Sequence, residues 1–293
     1  MKSLKGAIAL VAGATRRAGR AIAIELAAAG AIVYVTGRST RTVRSTMDRP
    51  ETIDETADII TKAGGKAIPI RVDHAVPEEV ARLAEQIAGE NDGRIDILVN
   101  DIWGGDPLAQ WGVPFWQHNL EGGLSLVRNA VDTHIITSWY VAPWMVKRKH
   151  GLIIEVTDGI TSGYRGSLFY DLAKASVNRL AMAQAAVLNA HNVAVTAVSP
   201  GFLRSDAMLD HFGVREATWR EAIAKDPHFA ESETPHFIGR AVVALASDPN
   251  IMTKSGTAVA TWNLAKEYGF RDLDGSRPDW GRYAREKLGM EMG

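Results

Sequence analysis

GAIALVAGATRRAGRAIAIELAAAGAIVYVTG, residues 6–37, runs as an apolar strand, a glycine-containing turn, a small-residue helix and a second apolar strand. Both strand segments are continuously apolar rather than alternating, the pattern of strands covered on both faces in a parallel sheet. The unit repeats along the chain. A helix at 51–64 precedes the strand KAIPIRVD (66–73), and a helix at 77–89 precedes RIDILVN (94–100). A long helix over about 124–149 leads to GLIIEVT (151–157), a helix over about 168–190 to VAVTAVSP (193–200), and the last strand segment is GTAVATWN (256–263). Seven strands threaded by crossover helices predict one doubly wound α/β domain spanning residues 1–293, because right-handed crossovers leave few other topologies.

The chain carries 33 Lys+Arg against 34 Asp+Glu, a net charge of −1, and no Cys among 293 residues. The absence of cysteine excludes a disulfide frame, a thiol nucleophile and Cys-ligated zinc, and it fits a reducing compartment. Near-neutral charge leaves no basic field for a nucleic-acid backbone. No apolar run reaches the ~18 residues of a membrane span. Met1–Ala14 is taken as a buried strand entering a turn, not a signal peptide, because Arg16 and Arg17 follow at once. The expectation is a cytoplasmic protein without nucleic-acid or membrane partners. The eight histidines form no HExxH or i, i+4 pair, so no metal is expected. His134 and Ser138 lack a GxSxG elbow and are taken as a helix-face pair.

Two segments exceed what a connection needs, Asp101–Gly123 and Leu203–Thr234, and such insertions beyond strand C-termini commonly carry function. The tail 270–293 is polar, with Trp280 and Tyr283, and is expected to cover an edge or reach a neighbouring subunit. In LVAGATRRAGRAIA (10–23), Gly13 closes the first strand and Gly19 opens the first helix. Glycine there lets backbone N–H groups and a helix N-terminus approach a phosphate closely. The second strand ends in Thr36–Gly37–Arg38 rather than in the carboxylate that would hold a ribose diol. Arg38, with Arg16 or Arg17, can grip a 2′-phosphate, so NADP(H) is the expected cofactor. Asp73 and Asn100 close the third and fourth strands, at the crevice edge of such sheets.

Within SLFYDLAKAS (167–176), Tyr170 and Lys174 are spaced i, i+4 on one helix face. A nearby ammonium lowers a tyrosine pKa, which would make Tyr170 a usable acid or base near neutrality. Taken in order, AGATRRAG, Asp73, LVN with Asn100, GLIIEVT, YDLAK and VSPGF resemble the short-chain dehydrogenase/reductase family over nearly the whole chain. The resemblance implies a Rossmann fold and a nicotinamide cofactor, with Tyr170 as proton donor and Lys174 as ribose ligand and pKa modifier. It further implies that Gly13, Thr15, Arg16, Ala18 and Gly19 line the pyrophosphate turn and that Asp73 and His74 flank the adenine. Asn100 and the Pro200–Gly201 turn would border the ribose and nicotinamide. A homodimer or homotetramer through the long helices is a further implication.

The chain departs from the family pattern at four places. Arg17 stands where a middle glycine is usual, which implies a wider turn or a phosphate contact by Arg17. Asp101 replaces a common second Asn, and Ala130 stands where the structural Asn is expected, with Asn129 one step and about 100° away on a helix. The catalytic Ser position falls on Asp158 when counted from the strand and on Thr157 when counted back from Tyr170; the strand register favours Asp158. An ionised carboxylate about 4 Å from a developing alkoxide opposes it by roughly 4 kcal/mol at an effective dielectric near 20, about three powers of ten in rate. Three solutions follow: a neutral Asp158 that donates a hydrogen bond, a cationic imine or amino-ketone substrate that pairs with it, or an Asp158 that caps the turn while Thr157 supplies the hydroxyl. Trp103, Tyr164, Phe202 and Met208 are the expected pocket wall around a small-molecule carbonyl. A sensor that binds cofactor without chemistry is the alternative from another class.

Overall fold

The computed structural model describes residues 3–44, 49–161 and 163–289; the expectation for the tail at 290–293 lies outside the described residues. In chain order the strands are β1 (Ile8–Ala12), β2 (Ile32–Gly37), β3 (Lys66–Arg71), β4 (Ile97–Asn100), β5 (Gly151–Val156), β6 (Val193–Ser199), β7 (Phe202–Leu203), β8 (Ser232–Glu233) and β9 (Ala258–Ala260). The α-helices are α1 (Arg17–Ala28), α2 (Ile53–Lys62), α3 (Pro77–Glu90), α4 (Leu120–Arg148), α5 (Leu168–Leu188), α6 (Asp206–Phe212), α7 (Pro235–Ala246), α8 (Thr261–Tyr268) and α9 (Trp280–Tyr283). Seven strands form one parallel sheet in the order β3-β2-β1-β4-β5-β6-β9, and β7 pairs with β8 apart from it. The winding reverses between β1 and β4, which opens a crevice at their carboxyl ends.

Successive strand residues face opposite sides of the sheet. Ala9 and Val11 therefore join Ile22 and Leu26 of α1 and Phe237 and Val242 of α7 in one core layer. Ile8 and Leu10 join Val80 and Leu83 of α3, Val141 of α4 and Ala181 of α5 in the other. Several elements differ from the sequence expectation. Helix α7 is not expected from the sequence; Phe237, Ile238, Gly239 and Ala241–Leu245 of it are buried. The last strand stops at Ala260 because Thr261–Asn263 begin α8. Helix α4 starts earlier than expected because the Asn119 side chain accepts the Gly122 N–H at 2.8 Å and caps it.

Two buried carboxyls anchor polar networks, in which Asn100 Oδ1 and Glu233 Oε1 are left without a hydrogen-bond partner among the described residues. Glu155 of β5 is fully buried and accepts hydrogen bonds from Asn100 Nδ2 at 3.0 Å and Ser138 Oγ at 3.3 Å, with His134 Nδ1 2.7 Å away. His134 lies on the inward face of α4: it is buried and its other ring nitrogen lies 3.2 Å from the Ile102 carbonyl. A second buried carboxyl, Glu233 of β8, accepts from the Gly201 N–H at 2.9 Å and the Thr261 hydroxyl at 2.7 Å, tying the turn after β6 to the start of α8. Among the described residues no helix is long and apolar enough to cross a membrane.

Burial raises the Glu233 carboxyl from its ordinary 4.5 to about 8. Between those values the folded state holds a proton that the unfolded chain has released, so this group makes stability fall as pH rises across that window. Glu233→Gln keeps an acceptor for Gly201 and removes the titration. The melting temperature of the variant should therefore gain on the native protein steadily from pH 5 to pH 8, measured by calorimetry; a gap independent of pH would contradict this.

Candidate active site

At the carboxyl ends of the strands lies a cleft of about 540 Å³, within the range of small-molecule and cofactor sites. Its floor is the turn between β1 and α1. Gly13 has φ +91°, and a Cβ there would lie 2.4 Å from the Asp101 carbonyl oxygen. A Cβ on Gly19 would lie 2.3 Å from the Gly13 carbonyl oxygen. Both positions therefore exclude any larger residue, and Thr15, Arg16, Arg17 and Ala18 between them line the cleft. Arg17, at the family's glycine position, adopts φ +52° itself. The Arg16 cap offers no side-chain acceptor and the first turn of α1 holds no acidic residue, so this helix end suits an anion.

Each cation near the turn has a carboxylate beside it. Arg16 lies 3.8 Å from Glu51, Arg17 is paired with Asp106, and Arg38 lies 3.8 Å from Asp73. These arginines and the glycine turn fit the phosphates of a nicotinamide dinucleotide. Asp73 and His74 border the cleft as expected. The His74 ring itself is buried, 2.8 Å from the Thr36 hydroxyl and 2.9 Å from that of Thr137, and burial pushes its pKa down to about 3, so it stays neutral. Asn100 requires a correction: its side chain turns away from the cleft into the Glu155 network. Gly19 lies beneath the cleft surface, against Gly13.

The carboxyl end of β5 and the start of α5 bring four side chains together. Tyr170 Oη donates to Asp158 Oδ2 at 2.6 Å, and Arg165 Nη2 donates to Asp158 Oδ1 at 2.5 Å. Thr157 also lines the cleft, but its hydroxyl donates to the Lys174 carbonyl at 3.1 Å. The strand register thus places Asp158, and not Thr157, on the tyrosine. Lys174 Nζ sits 4.0 Å from the centre of the Trp103 ring and 5.8 Å from that of Tyr170. The expected lowering of the tyrosine pKa is overturned: burial, and then the neighbouring Asp158 charge, push the Tyr170 phenol well above its ordinary value of 10. Burial also lowers the Lys174 ammonium, and it raises the Asp101 carboxyl to about 6.

Trp103, Phe202 and Met208 line the cleft, together with Pro200 and Gly201. Tyr164 does not; it is 63% exposed beyond the rim. Trp103 meets Tyr170 edge-on at 5.6 Å between ring centres, and its indole N–H donates to Asp106 at 2.6 Å. Asn129 lines the cleft while Ala130 is buried. Arg165, Asp106 and Trp280 also line it, and sequence reasoning had not placed them there. Arg165 lies in a loop and Asp106 in a single 3₁₀ turn, too short for periodicity to mark a residue's direction, and Trp280 arrives from the tail. No group of His, Cys, Asp or Glu among the described residues could hold a metal ion.

The family described as short chain dehydrogenase matches residues 7–212. A curated Mus musculus protein, dehydrogenase/reductase SDR family member 1, is 33% identical over 276 residues, covering 93% of this chain and 85% of its own. Among solved structures, a short-chain type dehydrogenase/reductase from Mycobacterium marinum is 26% identical at a TM-score of 0.69, with 88% of this chain and 94% of that one covered. A candidate NAD(P)-dependent gluconate 5-dehydrogenase from Beutenbergia cavernae, holding NADP at low occupancy, is 25% identical at a TM-score of 0.68, covering 88% and 96%.

A methyl group on Gly19 meets the fixed Gly13 backbone first, with Asp101 Oδ2 2.8 Å away. Gly19→Ala should weaken nicotinamide-cofactor binding by about 5- to 150-fold, scaled to overpacking costs of roughly 1–3 kcal/mol. Titration calorimetry on the purified variant checks this, and native affinity would refute it.

Proposed function

The chain belongs to the short-chain dehydrogenase family, and on that premise we propose that it is an NADP(H)-linked oxidoreductase interconverting a small-molecule carbonyl and its alcohol, with Tyr170 as the group that exchanges the proton. The observation that carries this reading is the presence of the Tyr170 hydroxyl, Asp158 and Lys174 in the same cleft as the glycine turn. When bound, the nicotinamide supplies or accepts the hydride. The chain's own residues then have three tasks. Thr15, Arg16, Arg17 and Ala18 would hold the pyrophosphate, and Arg38 with Arg16 would hold a 2′-phosphate, since no carboxylate ends β2 to claim a ribose diol. Lys174 would meet the ribose, and Pro200–Gly201 would border the nicotinamide. Tyr170 would hydrogen-bond the reacting oxygen, with Trp103, Phe202 and Met208 excluding water around it.

Asp158 no longer excludes a neutral ketone. Arg165, 2.5 Å from its carboxylate, makes the pair neutral as a unit, and the repulsion of several kcal/mol between a lone carboxylate and an alkoxide is offset. The same pairing removes the advantage that a cationic imine or amino ketone would gain, so a carbonyl is the favoured substrate class. A cytoplasmic location accords with a chain lacking cysteine.

We further propose a homodimer or homotetramer built through α4 and α5. Leu124, Ile135 and Trp139 lie on one exposed face of α4, with Trp139 72% exposed, and Leu172, Met182 and Val187 are exposed on α5. Trp139→Glu should raise the subunit dissociation constant at least about tenfold, as removal of a central aromatic anchor does; sedimentation velocity reads this, and an unchanged profile would refute it.

NADPH oxidation should be recorded against acetophenone, cyclohexanone, aminoacetone and 1-pyrroline. Turnover of the neutral ketones is expected, and Tyr170→Phe should lower it by about 10²–10⁴ while NADPH binding persists. Undiminished turnover in that variant would sink the assignment. Turnover confined to the nitrogen compounds would restore the imine reading, and NADPH binding without any turnover would favour the sensor.

A further inference from the structure

We propose that Tyr170 relays the reaction's proton to Asp158, so that Asp158, with Arg165 as its counter-ion, is the ultimate base in alcohol oxidation and the ultimate acid in carbonyl reduction. This deepens the oxidoreductase reading above and rests on it. A phenol has one proton, and here it points to Asp158 Oδ2 at 2.6 Å, a distance typical of a strong hydrogen bond to a carboxylate. With that proton directed at Asp158, the acceptor lone pairs of Oη are free for the hydroxyl of an alcohol. The result is an O–H···O–H···O chain from substrate through Tyr170 to the carboxylate.

Oxidation then balances as follows. The carbinol C–H bond breaks and its electron pair leaves as hydride to an oxidised nicotinamide. The alcohol O–H breaks, its proton goes to Tyr170 Oη, and its electron pair forms the second C–O bond. The tyrosine O–H breaks in turn and its proton goes to Asp158 Oδ2. Tyr170 ends as it began, protonated, and Asp158 ends as the acid, with a side chain 25% exposed from which water can remove the proton. Reduction runs the same transfers backward.

The surroundings favour this route over one through a free phenolate. Burial and the adjacent carboxylate both oppose ionisation of Tyr170. Lys174, the cation that would hold a phenolate, is turned to the face of Trp103. Arg165 is built into its place: Gly159 has φ +85°, and a Cβ there would come 2.9 Å from Arg165 Nη1, while the Arg165 backbone N–H donates to Asp171 at 2.9 Å. The charged and titratable groups around Asp158 are Arg165 from the loop before α5, Tyr170 and Lys174 from α5, and Asp101 and Asp106 from the segment after β4, whose charges reach Lys174 and Tyr170. Arg165 alone among these has a bond to the carboxylate's other oxygen. Thr157 cannot substitute, since its hydroxyl is held by the Lys174 carbonyl.

The test is kcat/KM for oxidation of 1-phenylethanol with NADP⁺ from pH 5 to 10 in the native protein and in Asp158→Asn, Asp158→Ser, Arg165→Gln and Tyr170→Phe. Ultraviolet difference titration of the cofactor-free proteins against Tyr170→Phe reads the phenol directly. The native profile should rise with a carboxyl group and show no second rise near the ~10 of a free phenol. Asp158→Asn should lose about 10²–10⁴-fold. Asp158→Ser should regain part of that with an alkaline rise, and Arg165→Gln should move the acid limb to higher pH. The phenol of Tyr170 should ionise above pH 10 in the native protein and lower in Asp158→Ser. Asp158→Asn within about tenfold of native, an unmoved limb in Arg165→Gln, or ordinary ionisation of the native phenol would each overturn the relay; the last two decide the matter even if Asp158→Asn fails to fold. Loss of turnover in Tyr170→Phe alongside an active Asp158→Asn would leave the oxidoreductase reading standing and remove only the relay. Turnover by Tyr170→Phe would remove both.

Discussion

The backbone at Gly13 presses on the backbone of Asp101, and the cleft is organised around that contact. Because no Cβ fits at Gly13 or Gly19, the end of β1, the first turn of α1 and the chain leaving β4 can meet at van der Waals distance. The segment after β4 is thereby aimed across the crevice. Two residues past Asp101, Trp103 reaches Lys174 and Tyr170, and Asp106 returns to pair with Arg17 of the turn. The phosphate end and the reacting end of the cleft share this one piece of chain. The buried His134–Glu155 pair supports it from below through the Ile102 carbonyl.

Charge in the cleft is stored as pairs. Arg16 with Glu51, Arg17 with Asp106, Arg38 with Asp73 and Arg165 with Asp158 leave little net field. A phosphate arriving at the turn competes with carboxylates that already hold the arginines. Such partly solvated pairs are each worth little, about 0–1 kcal/mol at the surface, so they can be exchanged without large cost. Asp158 differs from the others because it also holds the tyrosine hydroxyl, which couples its protonation to the reacting oxygen.

Much of this was legible in the sequence because it rests on periodicity and spacing. Continuous apolar strands, the glycine turn and the Tyr170–Lys174 spacing each report a regular backbone, and the strand register led to Asp158. What escaped was set by irregular chain. Arg165 sits in a loop whose path no pattern encodes, although it decides how Asp158 can act. The β7–β8 pair involves two residues on each side, too few for an alternating signal. Trp280 joins the cleft only because the tail folds back over Gly201. The direction of the Tyr170 shift was misjudged because i, i+4 spacing shows that two side chains share a face, not that the ammonium meets the oxygen. Asn100 was taken for a cleft residue because strand ends usually point there, whereas buried Glu155 draws its side chain inward.

Two carboxyl-handling features set this cleft apart from a simple tyrosine–lysine site: Asp158 on the phenol, and Arg165 on Asp158. Together they make the proton's path two transfers long. The most direct measurement is a proton inventory, the single-turnover rate of 1-phenylethanol oxidation in mixtures of H₂O and D₂O. Two protons moving in the rate-limiting step predict a rate that curves downward with the deuterium fraction as a quadratic. A straight line, the signature of one proton leaving the substrate for Tyr170 and going no further, would contradict the account.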